Sequence, residues 1–255
     1  MKGKRALVTG SSNGLGLAMA QGLAAAGCDV VLHGLDSSVD MHATCADLAQ
    51  QYGVAISYVQ ADLSQASGVE AMLDAAGAVD VLINNAVVRH FSPIEDFPLE
   101  RWEQALAVNL TAAFRAVQLS LPGMRARGWG RIFNMSSAYG SRAIANRIDY
   151  VTTKTALLGF TRAVAMETLG QGITCNAVCP GSVLTPNIEG RLTDLMARKQ
   201  LDRETATREF LLGKQGTGRF VDAAHVADLI VFLCSDSGAS ITGATLPVDD
   251  GWLAG

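Results

Sequence analysis

Several features that mark particular classes of protein are absent from this sequence. Its 255 residues contain no block of Lys or Arg, and the formal charge of −4 argues against nucleic acid as a partner. The apolar run near the N-terminus stops at Gly10 and is too short for a secretion signal or a membrane span. No Pro/Ser-rich or charged linker divides the chain. We therefore expect one soluble cytoplasmic domain over residues 1–255, with no membrane or nucleic-acid partner.

Paired cysteines and clustered histidines are missing as well. The cysteines are odd in number and none forms a CxxC pair: Cys28, Cys45, Cys175, Cys179 and Cys234. Two of them lie in an apolar stretch without a nearby histidine, and the four histidines are scattered along the chain. This pattern favours buried reduced thiols over a disulfide or a metal site. No metal ion is expected.

The sequence does contain a regular alternation of strand-like and helix-like segments. Short apolar runs predict strands at residues 5–9, 29–33, 56–60, 79–83, 131–135, 173–178 and 245–248. A long helix is expected from about Leu99 to Met124, with a break or kink near Pro122. Strands that alternate with helices predict an α/β fold with one doubly wound parallel sheet, right-handed crossovers and helices on both faces.

A glycine-rich loop joins the first predicted strand to the first predicted helix. Gly10, Gly14 and Gly16 allow a sharp turn and a close approach of the backbone to a ligand. The free N–H groups at the start of a helix attract a pyrophosphate, so this loop indicates a dinucleotide cradle. A plain turn remains the alternative, because the spacing is TGxxxGxG and not GxGxxG.

The end of the second strand bears on the choice of dinucleotide. An acidic group there binds the ribose hydroxyls of NAD, whereas an arginine accommodates the 2′-phosphate of NADP. Neither Lys nor Arg occurs in this segment or in the glycine loop, which favours NAD. Gly34 occupies the position where an aspartate is expected, and Asp36 follows two residues later.

Tyr150 and Lys154 form a candidate catalytic pair. Four residues apart on a predicted helix, they share one face, and an ammonium beside a phenol favours the phenolate. The tyrosine could then exchange a proton with a substrate hydroxyl, while Ser137 donates a hydrogen bond to the same oxygen. Alone, a Tyr/Lys pair at this spacing is a weak signal because chance produces it often.

Position in the fold strengthens each of these signals. In open α/β sheets, ligands bind beyond the carboxyl ends of the strands. The glycine loop, Asp62, Asn84, Ser137 and the Pro180-Gly181 pair all follow predicted strands directly. We therefore expect them to line a single cleft.

These motifs together resemble the short-chain dehydrogenase/reductase family across nearly the whole chain: TGSSNGLG at 9–16, Asp62, NNA at 84–86, Asn109, Ser137, YVTTK at 150–154 and Pro180-Gly181. The resemblance implies a Rossmann-type NAD-dependent oxidoreductase, commonly a homodimer or homotetramer. It implies that Ser137 positions the substrate oxygen, Tyr150 is the acid/base, Lys154 also binds ribose, and Asn109 holds a water that relays protons. The implied cofactor-binding residues are Gly10, Ser12, Asn13, Gly14, Leu15, Gly16, Leu35, Asp62, Leu63, Asn84, Ala86, Tyr150, Lys154, Pro180, Gly181, Val183 and Thr185.

Within the family, other stretches look like bacterial D-3-hydroxybutyrate dehydrogenases, but the substrate pocket differs. Where those enzymes hold a carboxylate with Gln, His, Lys and Gln, this chain has Arg89, Tyr139, Arg147 and Arg191. Guanidinium groups make forked bonds to acids, which implies a small anionic substrate such as a hydroxy acid, hydroxy dicarboxylate, sulfonate or phosphonate. Alternatively, some of these arginines face solvent or pair with Asp149, Glu189 or Asp194.

Residues 186–218 depart from the regular alternation and are rich in charge. They are interpreted as a substrate lid over the cleft, or else as a surface excursion, while residues 1–185 mainly serve cofactor binding and catalysis. Two alternatives to the enzyme remain: a non-catalytic NAD-binding regulatory or scaffold protein, and an extended epimerase or dehydratase. The short C-terminal region leaves little chain for the substrate domain of the latter.

Overall fold

A computed structural model describes residues 1–254 as one α/β unit. The strands are β1 (Arg5–Val8), β2 (Asp29–Gly34), β3 (Ile56–Gln60), β4 (Val81–Asn84), β5 (Gly130–Met135), β6 (Ile173–Pro180) and β7 (Thr245–Val248). The α-helices are α1 (Gly14–Ala25), α2 (Ser38–Tyr52), α3 (Ala66–Ala76), α4 (Leu99–Leu106), α5 (Ala112–Arg127), α6 (Ile148–Glu167), α7 (Pro186–Lys199), α8 (Arg203–Leu211) and α9 (Ala223–Cys234).

The seven strands form one parallel sheet in the order β3-β2-β1-β4-β5-β6-β7. From β1 the chain first builds outward through β2 and β3, then crosses back to place β4 on the other side of β1. The strand order reverses between β1 and β4, which opens a crevice at the carboxyl ends of these two strands. The predicted doubly wound parallel sheet is confirmed.

Each face of the sheet is covered by its own apolar core. Side chains alternate along β1, so Ala6 and Val8 pack with α1 and α9, while Leu7 packs on the opposite face with α3 and α5. All three are fully buried. Burial on both faces explains why the strands read as continuous apolar runs in the sequence.

The helix expected over residues 99–124 is interrupted at a different place. A π-helical segment, Ala107–Thr111, separates α4 from α5, and α5 continues through Pro122 to Arg127. The predicted break near Pro122 was therefore wrong in position. The side chain of Asn109 in the π-segment bonds to the backbone of Val88, and such local bulges are frequent at functional sites.

The cysteines are mostly inside the protein, as the sequence indicated. Cys28, Cys175, Cys179 and Cys234 are buried, and Cys45 is half-buried. Burial raises the pKa of the Cys28, Cys175 and Cys234 thiols to about 12, which keeps these groups protonated. Within residues 1–254, no helix is both long and apolar enough to cross a membrane.

The glycine loop requires its glycines for space as well as for backbone angles. A Cβ atom at Gly16 would lie 2.2 Å from the carbonyl oxygen of Gly10, and one at Gly10 would lie 2.9 Å from the Cα atom of Ala86. Gly10 and Gly14 also have positive φ angles of 61° and 57°. The loop is thus pressed against its own first turn and against the segment after β4.

The tight packing at Gly16 predicts a stability effect. Gly16→Ala should lower the free energy of unfolding by about 1–3 kcal/mol, because its methyl group displaces backbone. The matched control is Gly190→Ala in α7, where a Cβ meets nothing within 4 Å. That control should be neutral or stabilising by up to about 1 kcal/mol, since alanine favours helix. Urea unfolding measures both; equal effects would contradict the steric argument.

Candidate active site

One cleft of about 790 Å³ runs along the carboxyl ends of the strands. Its lining includes the glycine loop at one end and the start of α6 at the other. The lining contains almost every residue that the sequence singled out: Gly10, Ser12, Asn13, Gly14, Leu15, Gly16, Leu35, Asp62, Leu63, Ala86, Arg89, Ser137, Tyr139, Arg147, Tyr150, Lys154, Pro180, Gly181, Val183, Thr185 and Arg191. Parallel strands place these distant segments side by side.

Asn84 and Asn109 do not line the cleft. The Asn84 side chain donates to Asn134 Oδ1 at 2.8 Å inside the sheet, and its neighbour Asn85 faces the cleft instead. Asn109 accepts from the Val88 backbone N–H at 2.8 Å and donates to the Val88 carbonyl oxygen at 2.9 Å. Asn109 therefore holds the backbone of Val88, which lines the cleft, whereas Asn84 joins β4 to β5 through a bond between side chains.

The glycine loop is fixed by His33, which sequence reasoning missed, and by Asn85 of the NNA motif. His33, at the end of β2, accepts the Gly10 N–H on Nδ1 at 3.1 Å and donates from Nε2 to the carbonyl oxygen of Ala61. Burial lowers the pKa of His33, so the imidazole stays neutral and keeps this tautomer. Asn85 donates to the carbonyl oxygens of Thr9 and Gly10. Asn85 lies inside the NNA motif at 84–86, but no motif indicated His33, whose partners are backbone atoms.

The start of α1 is chemically suited to an anion. Asn13 precedes the helix without capping it through its side chain, and the first turn carries no acidic residue. Its backbone N–H groups are therefore available, and the helix dipole favours negative charge at this end. Together with the glycine backbone, this arrangement fits the pyrophosphate of a dinucleotide.

Tyr150 and Lys154 lie on one face of α6, as their spacing predicted. Lys154 is buried, and its Nζ donates to the carbonyl oxygen of Met135 at 2.5 Å. The ammonium lies 5.6 Å from the centroid of the Tyr150 ring. Burial, with a smaller contribution from Arg89, lowers the pKa of Lys154 to about 8.

Ser136 and Ser137 have different partners. Ser136 Oγ donates to the Lys154 carbonyl oxygen at 2.7 Å and so ties α6 to the end of β5. Ser137 Oγ accepts the N–H of Tyr139 at 3.2 Å, which leaves its own hydroxyl proton free to donate into the cleft. Ser137 is thus the serine available to a ligand.

A buried carboxylate joins the Tyr150 helix to the segment that follows β4. Asp149 is fully buried and accepts three hydrogen bonds: from the backbone and ring of His90 and from the N–H of Tyr150. The acceptor lies in the first turn of α6, where a negative charge is favourable. This contact fixes the loop that carries Arg89 and Phe91 relative to Tyr150.

The end of the cleft beside Tyr150 is lined by cations and aromatic rings. Arg147 is buried, its Nε has no hydrogen-bond partner, and its guanidinium lies 4.1 Å from the Phe91 ring centroid and 4.6 Å from that of Tyr150. Arg191 lies 5.2 Å from the ring centroids of both Phe91 and Phe210. Burial lowers the pKa of both guanidinium groups, which nevertheless remain charged.

Two of the acids considered as alternative partners for the arginines are already bonded elsewhere. Asp149 holds His90, and Glu189 forms a forked pair with Arg203. Arg89 instead donates to Asn187 Oδ1 at 2.8 Å. Within residues 1–254, none of Arg89, Arg147 and Arg191 forms a salt bridge with a carboxylate.

A fourth cation in this part of the cleft was missed by sequence reasoning. Lys214 lies in the segment after α8, and its Nζ donates to the Phe210 carbonyl oxygen at 2.7 Å and sits 4.0 Å from that ring centroid. Burial, Arg191 and Arg147 together lower the pKa of Lys214 to about 8. The spacing of four residues between Phe210 and Lys214 is the sequence feature that could have indicated this contact.

Among the described residues, no cluster of three His, Cys, Asp or Glu side chains suits a metal ion.

An open parallel sheet with a glycine loop at its switch point is the architecture of dinucleotide-binding oxidoreductases. Comparison with known proteins makes the class specific. The family model described as short chain dehydrogenase matches residues 4–195, and the chain belongs to this family. It is a dehydrogenase of that family, acting on alcohol or ketone groups.

Individual relatives extend over the full length of the chain. It is 41% identical to the D-beta-hydroxybutyrate dehydrogenase of Cupriavidus necator, over 100% of this chain and 99% of that protein. Identity to the enzyme of that name from Rhizobium meliloti is 36%, over 98% and 99%. Among solved structures, L-sorbose reductase from Gluconobacter frateurii, in complex with NADPH and L-sorbose, superposes with a TM-score of 0.95 at 30% identity, over 100% and 98%.

The buried ammonium of Lys154 predicts a dependence of stability on pH. The pKa of Lys154 is lowered to about 8 in the folded protein, against about 10.4 in the unfolded chain. Between these two pH values the unfolded chain binds more protons at this site than the folded protein does. The contribution of Lys154 to the free energy of unfolding therefore rises with pH over this range. Lys154→Met should remove that rise while increasing stability below pH 8. Urea unfolding across pH 7–10 measures the difference in free energy of unfolding between the two proteins, from which the contribution of the buried thiols largely cancels. A difference that does not change with pH would contradict the lowered pKa of Lys154.

Proposed function

We propose that this protein is an NAD-dependent dehydrogenase that interconverts a secondary alcohol and a ketone on a small anionic substrate. The observation that carries the proposal is the convergence of Tyr150, Lys154 and Ser137 in the cleft whose other end is formed by the glycine loop. Full-length similarity to D-beta-hydroxybutyrate dehydrogenases supports a hydroxy acid or a related hydroxy dicarboxylate, sulfonate or phosphonate.

In the proposed mechanism, three side chains share the work of proton transfer. In the oxidative direction Tyr150, as phenolate, takes the proton of the substrate hydroxyl. Ser137 donates its free hydroxyl proton to the same substrate oxygen and fixes its position. The Lys154 ammonium stabilises the negative phenolate and also binds the ribose, while the Asn109 segment holds a water that relays the proton onward from Lys154.

The cofactor is proposed to lie with its pyrophosphate on the glycine loop and its nicotinamide beside Tyr150. The uncapped start of α1 and the absence of Cβ atoms at Gly10 and Gly16 fit this placement. When bound, the nicotinamide accepts or donates the hydride. Ala86 and Pro180 to Thr185 would border its ring, and Asp62 and Leu63 would border the adenine.

We propose NAD over NADP because of where the carboxylate of Asp36 lies. A Cβ atom built on Gly34 would be 3.2 Å from Asp36 Oδ2, with Tyr58 Oη and Ser12 Oγ at 2.9 and 3.0 Å, so this carboxylate lies beside position 34. Tyr58 donates to the Asp36 backbone carbonyl at 2.9 Å and holds the turn. A carboxylate here accepts bonds from ribose hydroxyls and repels a 2′-phosphate.

The lid and the assembly are part of the same proposal. Residues 186–218 form α7 and α8 with a small apolar core of their own, and they present Arg191, Phe210 and Lys214 to the cleft. Such a segment can close over the substrate. We also propose a cytoplasmic homo-oligomer, a tetramer or dimer, supported by the exposed ring of Phe114 on α5, which contacts the half-buried Phe160 on α6.

Replacing the catalytic phenol separates the enzyme from a non-catalytic NAD-binding protein. Tyr150→Phe should lower kcat by about 10²–10⁴-fold, because no group remains to exchange the proton, while the Kd for NAD changes little. NADH formation from a panel of hydroxy acids and hydroxy sulfonates measures turnover. The control is Tyr52→Phe in α2, far from the cleft; unchanged turnover in Tyr150→Phe would remove the mechanism.

The cofactor assignment has its own test. Asp36→Asn should lower the ratio of kcat/KM for NAD over NADP by about tenfold, because loss of one negative charge removes repulsion of the 2′-phosphate. Asp47→Asn, an exposed position on α2, changes the net charge equally and should leave the ratio unaltered. A wild-type preference for NADP, or an equal ratio in both variants, would exclude Asp36 as the determinant.

A further inference from the structure

The cations beside Tyr150 are more numerous than one acidic group requires. Arg89, Arg147, Arg191 and Lys214 all line this end of the cleft, and no acidic side chain lines it with them. The acids of the lining, Asp36 and Asp62, lie by contrast with the residues that follow β2 and β3. The oxidised nicotinamide would add a further positive charge. Arg147 is buried without a carboxylate partner, and Arg89, Arg191 and Lys214 are only partly shielded from water, so an anion bound here would gain from all four charges.

The cations are also kept apart from one another. Arg147 and Arg191 lie on the same ring, that of Phe91, at 4.1 Å and 5.2 Å from its centroid. Arg191 and Lys214 share the Phe210 ring in the same way, at 5.2 Å and 4.0 Å. The result is a row in which cations and aromatic rings alternate. The cations thus fall into two pairs, one on each ring, which would suit two acidic groups better than one.

The two ends of the row have unused hydrogen-bond donors. At the end beside Tyr150, the buried Nε of Arg147 has no partner. At the far end, Lys214 uses one of its three N–H donors in the bond to the Phe210 carbonyl oxygen, which leaves two donors for a ligand. Buried donors without partners are uncommon in proteins and indicate a missing acceptor.

We infer that the substrate carries two separate acidic groups: Arg147 binds the group nearer the reacting carbon, and Arg191 with Lys214 binds the distal one. The inference rests on the proposed function for the identity of the reacting centre, and it adds Lys214 as a specificity residue. The class of substrate is a hydroxy dicarboxylate or a chain of similar length with two acidic ends. Arg89, in the segment after β4, donates to Asn187 on α7 and so links this segment to the lid.

An equilibrium experiment without turnover tests this directly. Glutarate and pentanoate have the same number of carbons but carry two and one negative charges. In calorimetric titrations of the protein with NAD bound, glutarate should bind at least about tenfold tighter, the equivalent of one additional charge pair. Equal affinities, or no measurable binding of glutarate, would overturn the inference.

Substitution locates the second group. Lys214→Met should weaken glutarate binding by about tenfold and alter pentanoate binding by less than about twofold. Lys2→Met, exposed and remote from the cleft, is the control for net charge, and Lys214→Arg should retain the preference. An equal loss for both ligands in Lys214→Met would show a merely structural role and contradict the proposal.

The wild-type protein provides a measurement that no folding defect can affect. The charged groups that face Lys214 are Arg191 on α7 and Arg147 before α6, and both stay cationic across the accessible range. Since the pKa of Lys214 is about 8, the preference for glutarate should diminish as pH rises from 7 to 9, and it should persist in Lys214→Arg. A constant preference across this range would exclude Lys214.

Failure of this inference can be told apart from failure of the proposed function. Glutarate binding does not depend on Tyr150 as an acid/base, so Tyr150→Phe should keep the preference while it loses turnover. NADH formation from 3-hydroxypentanoate but not 3-hydroxyglutarate would overturn the inference and leave the dehydrogenase intact. A preference for glutarate without turnover of any hydroxy acid would support the two-acid site and overturn the proposed dehydrogenase activity.

Discussion

The rest of the site depends on the way in which one ammonium is buried at the end of β5. Lys154 donates to the carbonyl oxygen of Met135, and its own carbonyl oxygen accepts from Ser136. Through these two bonds, one donated by Lys154 and one accepted by it, α6 is held against the end of β5. The face of α6 that carries Tyr150 is therefore fixed relative to Ser137, which follows the strand directly. Burial also lowers the pKa of the Lys154 ammonium itself to about 8.

The sequence determines the fold and most of the cleft lining because both follow from local patterns. Parallel strands buried on two faces read as apolar runs, and loops at their carboxyl ends must meet. What the sequence did not reveal follows from side chains that bond to backbone. His33 holds Gly10, and Asn109 holds Val88, and neither contact leaves a residue pattern because every residue has a backbone N–H and carbonyl. The π-helical segment around Asn109 likewise has no recognisable sequence pattern, whereas the proline at position 122 does not end α5.

Orientation was the other limit of sequence reasoning. The pattern could place Asn84 at the end of β4, but strand residues alternate in direction, so its side chain enters the sheet and meets Asn134. Similarly, the sequence places Asp36 two residues beyond position 34, where an aspartate is expected. The turn after β2 folds back and brings its carboxylate beside that position. Spacing in sequence gives a distance only where the secondary structure is regular.

The aromatic rings explain how a chain can hold several cations together before a substrate arrives. A ring face attracts a guanidinium or ammonium group, and this contribution grows as water is removed. Phe91 and Phe210 each receive two cations, so they offset part of the desolvation cost. Carboxylates in their place would stabilise the cations more strongly but would neutralise the site. Aromatic contacts therefore leave the positive charge available, which is what the proposed binding of an acidic substrate requires.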